Sequence, residues 1–291
     1  MSINRIRISE IQCRDFSKAI WLVLLAIGLF WVTTESRAQS LPFQDGEVLT
    51  YHIRYKYGLL MMGAGSADYR INFAENNQRP RVKSTFSFKT NSFFDKIYKM
   101  RDTLISYASR PDIIPISLSR SVNEGNTRFR EELVMRKHEK NFSEVSIKRI
   151  KNGEVRIDTT LSVNNRGFDI VNIFLFIRNM NYAELNPGQT YNLTVFLGKD
   201  NVNIILRYTG QAVLEKSEKL KYKAFHWTVD ITDDVFSESK NAMEVWISDD
   251  GNHVPLKLKA KLKIGAAEAE LSSYKQLKHP FLSEINLKSP K

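Results

Sequence analysis

The chain has 291 residues, 42% of them hydrophobic and 26% charged, a formal net charge of +11 and a single cysteine, Cys13. That length and apolar content suffice for one large domain with a full core, since β barrels and sandwiches of roughly 200 to 250 residues are ordinary. One cysteine closes no internal disulfide, which excludes the disulfide-scaffold class.

The first 38 residues read as an export signal. Arg5, Arg7, Arg14 and Lys18 form a basic n-region, residues 19–32 an apolar h-region, and Ser36-Arg37-Ala38 puts small residues at both positions that signal peptidase inspects. Cleavage predicts a periplasmic or secreted mature protein starting at Gln39. The apolar run is shorter than the roughly 20 residues of a bilayer span, and an uncleaved anchor is the alternative. Cys13 precedes the h-region, so it is not placed as a lipoprotein anchor. It leaves with the signal, and with it any thiol nucleophile or thiolate metal site. The basic balance suits encounters with anionic lipid or acidic polymers, including transient contact with a membrane surface. The Lys and Arg residues are spread along the chain rather than clustered, as a plain solvated surface also requires. Nucleic acid is not an expected partner in that compartment.

Residues 47–57 alternate Leu49, Tyr51, Ile53, Tyr55 and Tyr57 against Thr50, His52, Arg54 and Lys56, the period of a half-buried strand. Residues 67–73 repeat the pattern. Between them lies a glycine-bearing apolar stretch with Leu59, Leu60, Met61 and Met62, read either as strand ends packed in the core or as an apolar lip at an opening in the sheet. Residues 81–90, 96–108, 116–122 and 127–136 continue as long alternating strands, punctuated by Phe93-Phe94 and by Pro111 to Pro115. Residues 142–150 and 154–163 flank Asn152-Gly153, a dipeptide suited to a tight hairpin turn.

Residues 168–180 break the alternation. Ile170, Ile173, Phe174 and Ile177 recur at helical spacing and Val171, Leu175 and Phe176 fill the flanks, so this stretch predicts a buried helix, with a strand as the alternative. Asp169 suits its first turn and Arg178 its last, and Pro187-Gly188 turns into the next strand. Strands are expected at 190–197, 202–209, 211–214, 222–231, 242–248, 253–264 and 266–277. Asp249 to Asn252 supplies a second strong turn. Lys257, Lys259, Lys261 and Lys263 face Glu268 and Glu270 of the next strand, where each opposite-charge pair contributes roughly 0.2 to 1 kcal/mol. The tail from 281 to 291 is short, polar and expected to be loosely held.

No enzyme signature emerges. The five histidines share no ligand spacing, His138-Glu139 lacks the second His of a zinc-protease helix, and neither a nucleophile elbow nor a phosphate-binding Gly-rich loop occurs. Asp230, Asp233, Asp234 and Glu238 lack the central Gly and terminal Glu of a calcium loop. Neither a cofactor nor a metal is expected.

Several patterns coincide in order. Phe43-Gln-Asp-Gly-Glu47 leads into Leu49, Tyr51 and Tyr55, then Gly65 with Ala67; Asp169 to Arg178 is followed by Pro187-Gly188; Val245-Trp246-Ile247-Ser248-Asp249-Asp250 leads to Val254-Pro255-Leu256 and Gly265. The set resembles a family of exported bacterial proteins known as domain of unknown function DUF3108. The resemblance implies an envelope β protein similar to the curved half-barrels of lipoprotein carriers, and it brings no catalytic residues. No motif distinctive of those carriers is present.

The expected fold is all-β with one buried helix. A single curled antiparallel sheet or incomplete barrel spans residues 39–280, with the helix against its concave face. The expected function is non-enzymatic: a monomer that binds or shields a lipid, acyl chain or lipoprotein, with Leu59, Leu60, Met61 and Met62 as an apolar rim and Phe174, Phe176 and Ile177 as a cavity wall. The alternative is an envelope interaction domain whose interior is filled and whose partner is another protein.

Overall fold

The structure is a computed structural model that describes residues 40–198, 200–231, 240–262 and 264–286. The export signal expected at 1–38, and its cleavage point before Gln39, lie outside the described residues, as do Asp233, Asp234 and Glu238. From Leu41 onward the chain forms one compact unit.

Alternation builds the sheet. In β1 (Glu47–Tyr57) Glu47, Leu49 and Tyr51 are buried while Thr50, His52 and Arg54 turn away, and β2 (Leu60–Asn76) buries Ala67, Tyr69 and Ile71 in the same rhythm. The first run continues through β3 (Arg79–Thr90), β4 (Arg101–Ser109), β5 (Pro115–Glu124), β6 (Thr127–His138), β7 (Ser143–Lys151) and β8 (Glu154–Val163). After β9 (Arg166–Asp169) and the helix α1 (Asn172–Arg178) come β10 (Thr190–Leu197), β11 (Asp200–Glu215), β12 (Leu220–Ile231), β13 (Met243–Ser248), β14 (Pro255–Lys261), β15 (Ala266–Lys275) and β16 (Glu284–Asn286).

One sheet holds them all, in the order β8-β7-β6-β5-β4-β3-β2-β1-β15-β14-β13-β12-β11-β10-β9, with β16 paired to β12. Neighbours pair antiparallel except β9 and β10, which run parallel. The sheet curls into a nearly closed barrel. At the seam β9 meets β7, where the Gly167 N–H donates to the Ser143 hydroxyl at 2.8 Å. Glycine is needed there, because a Cβ at 167 would come within 2.4 Å of the buried Phe196 ring. The β10–β11 turn closes the seam further along: Gly198, at φ +81°, sits against the Glu131 carboxylate, which Arg149 holds at 2.6 Å. The Lys257–Glu268 pair expected across β14 and β15 forms at 3.2 Å, and Lys259 lies opposite Glu268.

Several expected boundaries are corrected. The helix spans seven residues rather than 168–180, because Arg166 to Asp169 are taken by parallel pairing with β10, Phe168 opposite Val195. Asp169 marks the change: its carboxylate accepts the N–H groups of Val171 and Asn172 at 2.8 and 2.9 Å, ending the strand and opening the helix. The glycine-bearing stretch is mostly strand, since β2 already starts at Leu60 and only Gly58-Leu59 turns. The strand expected at 96–108 starts at Arg101, after a short 3-10 turn, Phe94–Lys96. The segments 202–209 and 211–214 merge into β11 through a register slip at Gly210. The tail is tied down as far as residue 286. The Leu282 and Ser283 N–H groups donate to Asp250 at 3.1 and 3.3 Å, and Phe281 packs 4.9 Å from Tyr274.

Candidate functional site

The predicted cavity wall lies inside the barrel, where Ile177 fills space, while Phe176 also borders an open cleft. Ile177 is buried among Phe168, Met180, Tyr182 and Trp227. Half-buried Phe174 lies 6.4 Å from the Tyr69 ring, and half-buried Phe176 lies 4.8 Å from Phe168 and 6.0 Å from Tyr191. Leu175, with no exposure, joins the cluster of Leu49, Ile71, Leu118 and Ile147. Helix α1 therefore links two apolar clusters across the interior.

Polar side chains lock it in place. Arg178 and Glu47 are both fully buried, paired at 2.6 and 3.2 Å, and Arg178 also donates to the Asn252 carbonyl at 2.9 Å. Burial works to lower the Arg178 pKa, and the adjacent Glu47 carboxylate more than offsets this, leaving it raised. The guanidinium lies 5.1 Å from the Phe43 ring, and His253 Nδ1 meets the Arg178 carbonyl oxygen at 2.7 Å. At the other end of α1, the Ser106 hydroxyl and the Asn172 amide each donate to Asp169 at 2.8 Å, and burial raises the pKa of that carboxyl.

The predicted rim has the opposite character. Leu59, Leu60 and Met61 are 100%, 65% and 44% exposed, Tyr57 beside them is 58% exposed, and Met62 is half-buried. Together they form the tip of the β1–β2 hairpin rather than core. Antiparallel order places this hairpin at the same end of the barrel as the β3–β4, β5–β6, β7–β8 and β14–β15 connections. Hydrogen bonds tie these connections together: Asn91 N–H to the Ala64 carbonyl at 3.0 Å, the Tyr55 hydroxyl to the Ile264 carbonyl at 2.7 Å, and Gly125 N–H to the Lys99 carbonyl at 2.7 Å. Exposed Phe93, Ile97, Tyr98 and Ile264 extend the apolar surface, and exposed Lys56, Lys89, Lys96 and Lys99 stand among them. At the base of the hairpin lies an open cleft of about 500 Å³, lined by His52, Arg54, Lys89, Asn91 and Glu270 among others. In the sequence Phe93-Phe94 stands as punctuation between strands. The signal available there was a group of large apolar residues off the strand period, next to lysines.

No described group of three or more His, Cys, Asp or Glu residues is arranged to hold a metal ion. The histidines matter instead for acid stability. Burial lowers the pKa of His138 to about 4, helped by the Arg166 charge, and burial also lowers those of His226 and His253. Each is therefore held neutral in the fold and must charge on unfolding below its ordinary value of 6.5. The stability they contribute is complete above that value and is lost as pH falls below it, for His138 down to about 4. Melting temperature should drop across that interval, and His138→Gln should flatten the drop; differential scanning fluorimetry from neutral to acid pH measures both.

These features define a class: a nearly closed, barrel-like β protein plugged by its own helix, with an apolar, lysine-bearing rim at one end. The chain belongs to the family described as "Protein of unknown function (DUF3108)", which it matches over residues 50–272. Among solved structures it is similar to the β-barrel-like protein of domain of unknown function DUF1849 from Brucella abortus. That likeness covers 80% of this chain and 99% of that one, with a TM-score of 0.51 at 10% identity. At that identity the likeness concerns the fold alone. No curated protein matches the sequence.

Proposed function

We propose that this is a non-enzymatic, exported envelope protein that engages an amphiphile, a membrane lipid or the acyl chains of a lipoprotein, at its apolar rim rather than inside the barrel. The observation that carries this reading is the β1–β2 hairpin tip, where Leu59, Leu60 and Met61 are exposed side by side while the helix fills the interior. A soluble surface tolerates single exposed apolar residues, whereas a contiguous group marks an interaction site. Inserting one such side chain into an acyl environment contributes roughly 1.5 to 3 kcal/mol. Each lysine brought near an anionic leaflet adds about 1 kcal/mol. Several small terms of this kind give reversible docking, as for amphipathic segments lying in the membrane interface.

Flotation of the chain from Gln39 onward with phosphatidylglycerol-containing vesicles tests this. Binding is expected to anionic vesicles, to weaken with added salt and to be slight with phosphatidylcholine alone. Failure of the folded protein to float with anionic vesicles would overturn the reading. The alternative, an envelope protein partner, is favoured by β8, whose outer edge carries no ladder among the described residues. Crosslinking in intact cells that returned a protein adduct through β8, with no vesicle binding, would establish that reading in its place.

A further inference from the structure

We propose that the cleft between the start of β9, the end of α1 and the start of β10 is a binding site for a small monocarboxylate with an apolar or aromatic body. The cleft measures about 370 Å³ and is lined by Arg166, Phe176, Asn179, Gln189 and Tyr191, with Asp112 and Glu184 also on its wall. That volume lies at the lower end of the range for ligand sites. Asp112 belongs to the β4–β5 connection, which antiparallel order places at the opposite end of the barrel from the apolar rim.

Arg166 is the group that asks for a ligand. It is half-buried, its guanidinium carbon lies 5.0 Å from the Phe176 ring and 5.2 Å from Phe168, and no described carboxylate forms an ion pair with it. In that respect it differs from Arg54, Arg101, Arg149 and Arg178, each of which is paired to an acid. Burial lowers its pKa with no anion to offset the cost. The two aromatic rings hold the guanidinium plane in place and leave its fork of donors free for a planar, two-oxygen partner.

The walls set the rest of the ligand. Phe176 and Tyr191 meet edge to face at 6.0 Å, and the Tyr191 hydroxyl accepts from the Gln189 amide at 2.7 Å, which fixes an apolar wall with one polar corner. Asn179 Oδ1 is buried without a hydrogen-bond partner. It is available to a donor on the ligand or to a water carried with it. Exposed Asp112 and Glu184 at the opening disfavour a dianion such as phosphate, so the charge that fits is a single carboxylate.

Isothermal titration of the chain from Gln39 onward with phenylacetate, phenethylamine and inorganic phosphate tests the site. Saturable phenylacetate binding is expected, with little heat from the other two, and Arg166→Gln should weaken it about tenfold or more, the loss of one charge-assisted pair. Glu184→Gln, an exposed change with little bearing on folding, should tighten it by about twofold or more through reduced repulsion. Leu59→Asp/Leu60→Asp should leave it unchanged. Absence of saturable phenylacetate binding, equal binding of phenethylamine, or affinity indifferent to both Arg166→Gln and Glu184→Gln would overturn the proposal.

Discussion

Arg178→Met should cost about 3 to 5 kcal/mol of folding stability, the penalty for leaving one charge of a buried pair without its partner. Glu47 would keep its place with no exposure, near Tyr51 of β1 and Tyr69 of β2, and the Asn252 carbonyl would lose a donor. Glu47→Leu alone should cost a comparable amount, because the guanidinium would then be the stranded charge. The double variant Arg178→Met/Glu47→Leu should recover much of the loss, since an apolar pair of similar volume removes both desolvation penalties. Urea denaturation of the four proteins gives the coupling energy, and an unchanged slope with denaturant shows that the native state stays compact. Additive single costs would mean that the pair does not seat the helix, and the plug would then rest on Leu175 and its apolar neighbours alone.

That pair shows what sequence reading reaches and where it stops. Period-two alternation placed nearly every strand, because half-buried strands write their pleat directly into residue order. Three stretches were legible as local features: Phe43 to Glu47 as a strand entry, Asp169 to Arg178 as a helix, Asp249 to Asn252 as a turn. In space they converge. Phe43 covers the Arg178 guanidinium, Glu47 neutralises it across 131 residues of sequence, the Asn252 carbonyl accepts from it, and His253 meets the Arg178 backbone carbonyl. No spacing rule links residues so far apart, so Arg178 read as a favourable charge at a helix end when its main partner is a carboxylate on β1.

The helix boundary failed for a different reason. Phe168 and Asp169 lie in an apolar run that fits a buried strand as well as a helix, and only the parallel ladder with β10 decides between them. Exposure was equally out of reach. Leu59 to Met62 read as core or lip because apolar content carries no sign of which side of a hairpin meets water. Pairing of β1 with β2 out to Tyr57 and Leu60 resolves it by carrying the tip beyond the packed layer.

Leu175→Ala should lower stability by about 2 to 5 kcal/mol while leaving vesicle binding unchanged, whereas Leu59→Asp/Leu60→Asp should do the reverse. Leu175 has no exposure and packs within the cluster of Leu49, Ile71 and Leu118, so its truncation leaves a void that a closed sheet cannot readily collapse to fill. Leu59 and Leu60 touch little in the fold, and charging them should move stability by no more than about 0.5 kcal/mol. It would also remove two inserting side chains, each contributing roughly 1.5 to 3 kcal/mol in an acyl environment, so vesicle partitioning should fall about tenfold or more. Chemical denaturation and vesicle flotation on the same two variants separate the roles. Should Leu175→Ala instead enhance or abolish vesicle binding without unfolding the chain, α1 would act as a gate over an amphiphile held inside. Clean separation places the work of the protein at its rim and makes the helix a structural plug.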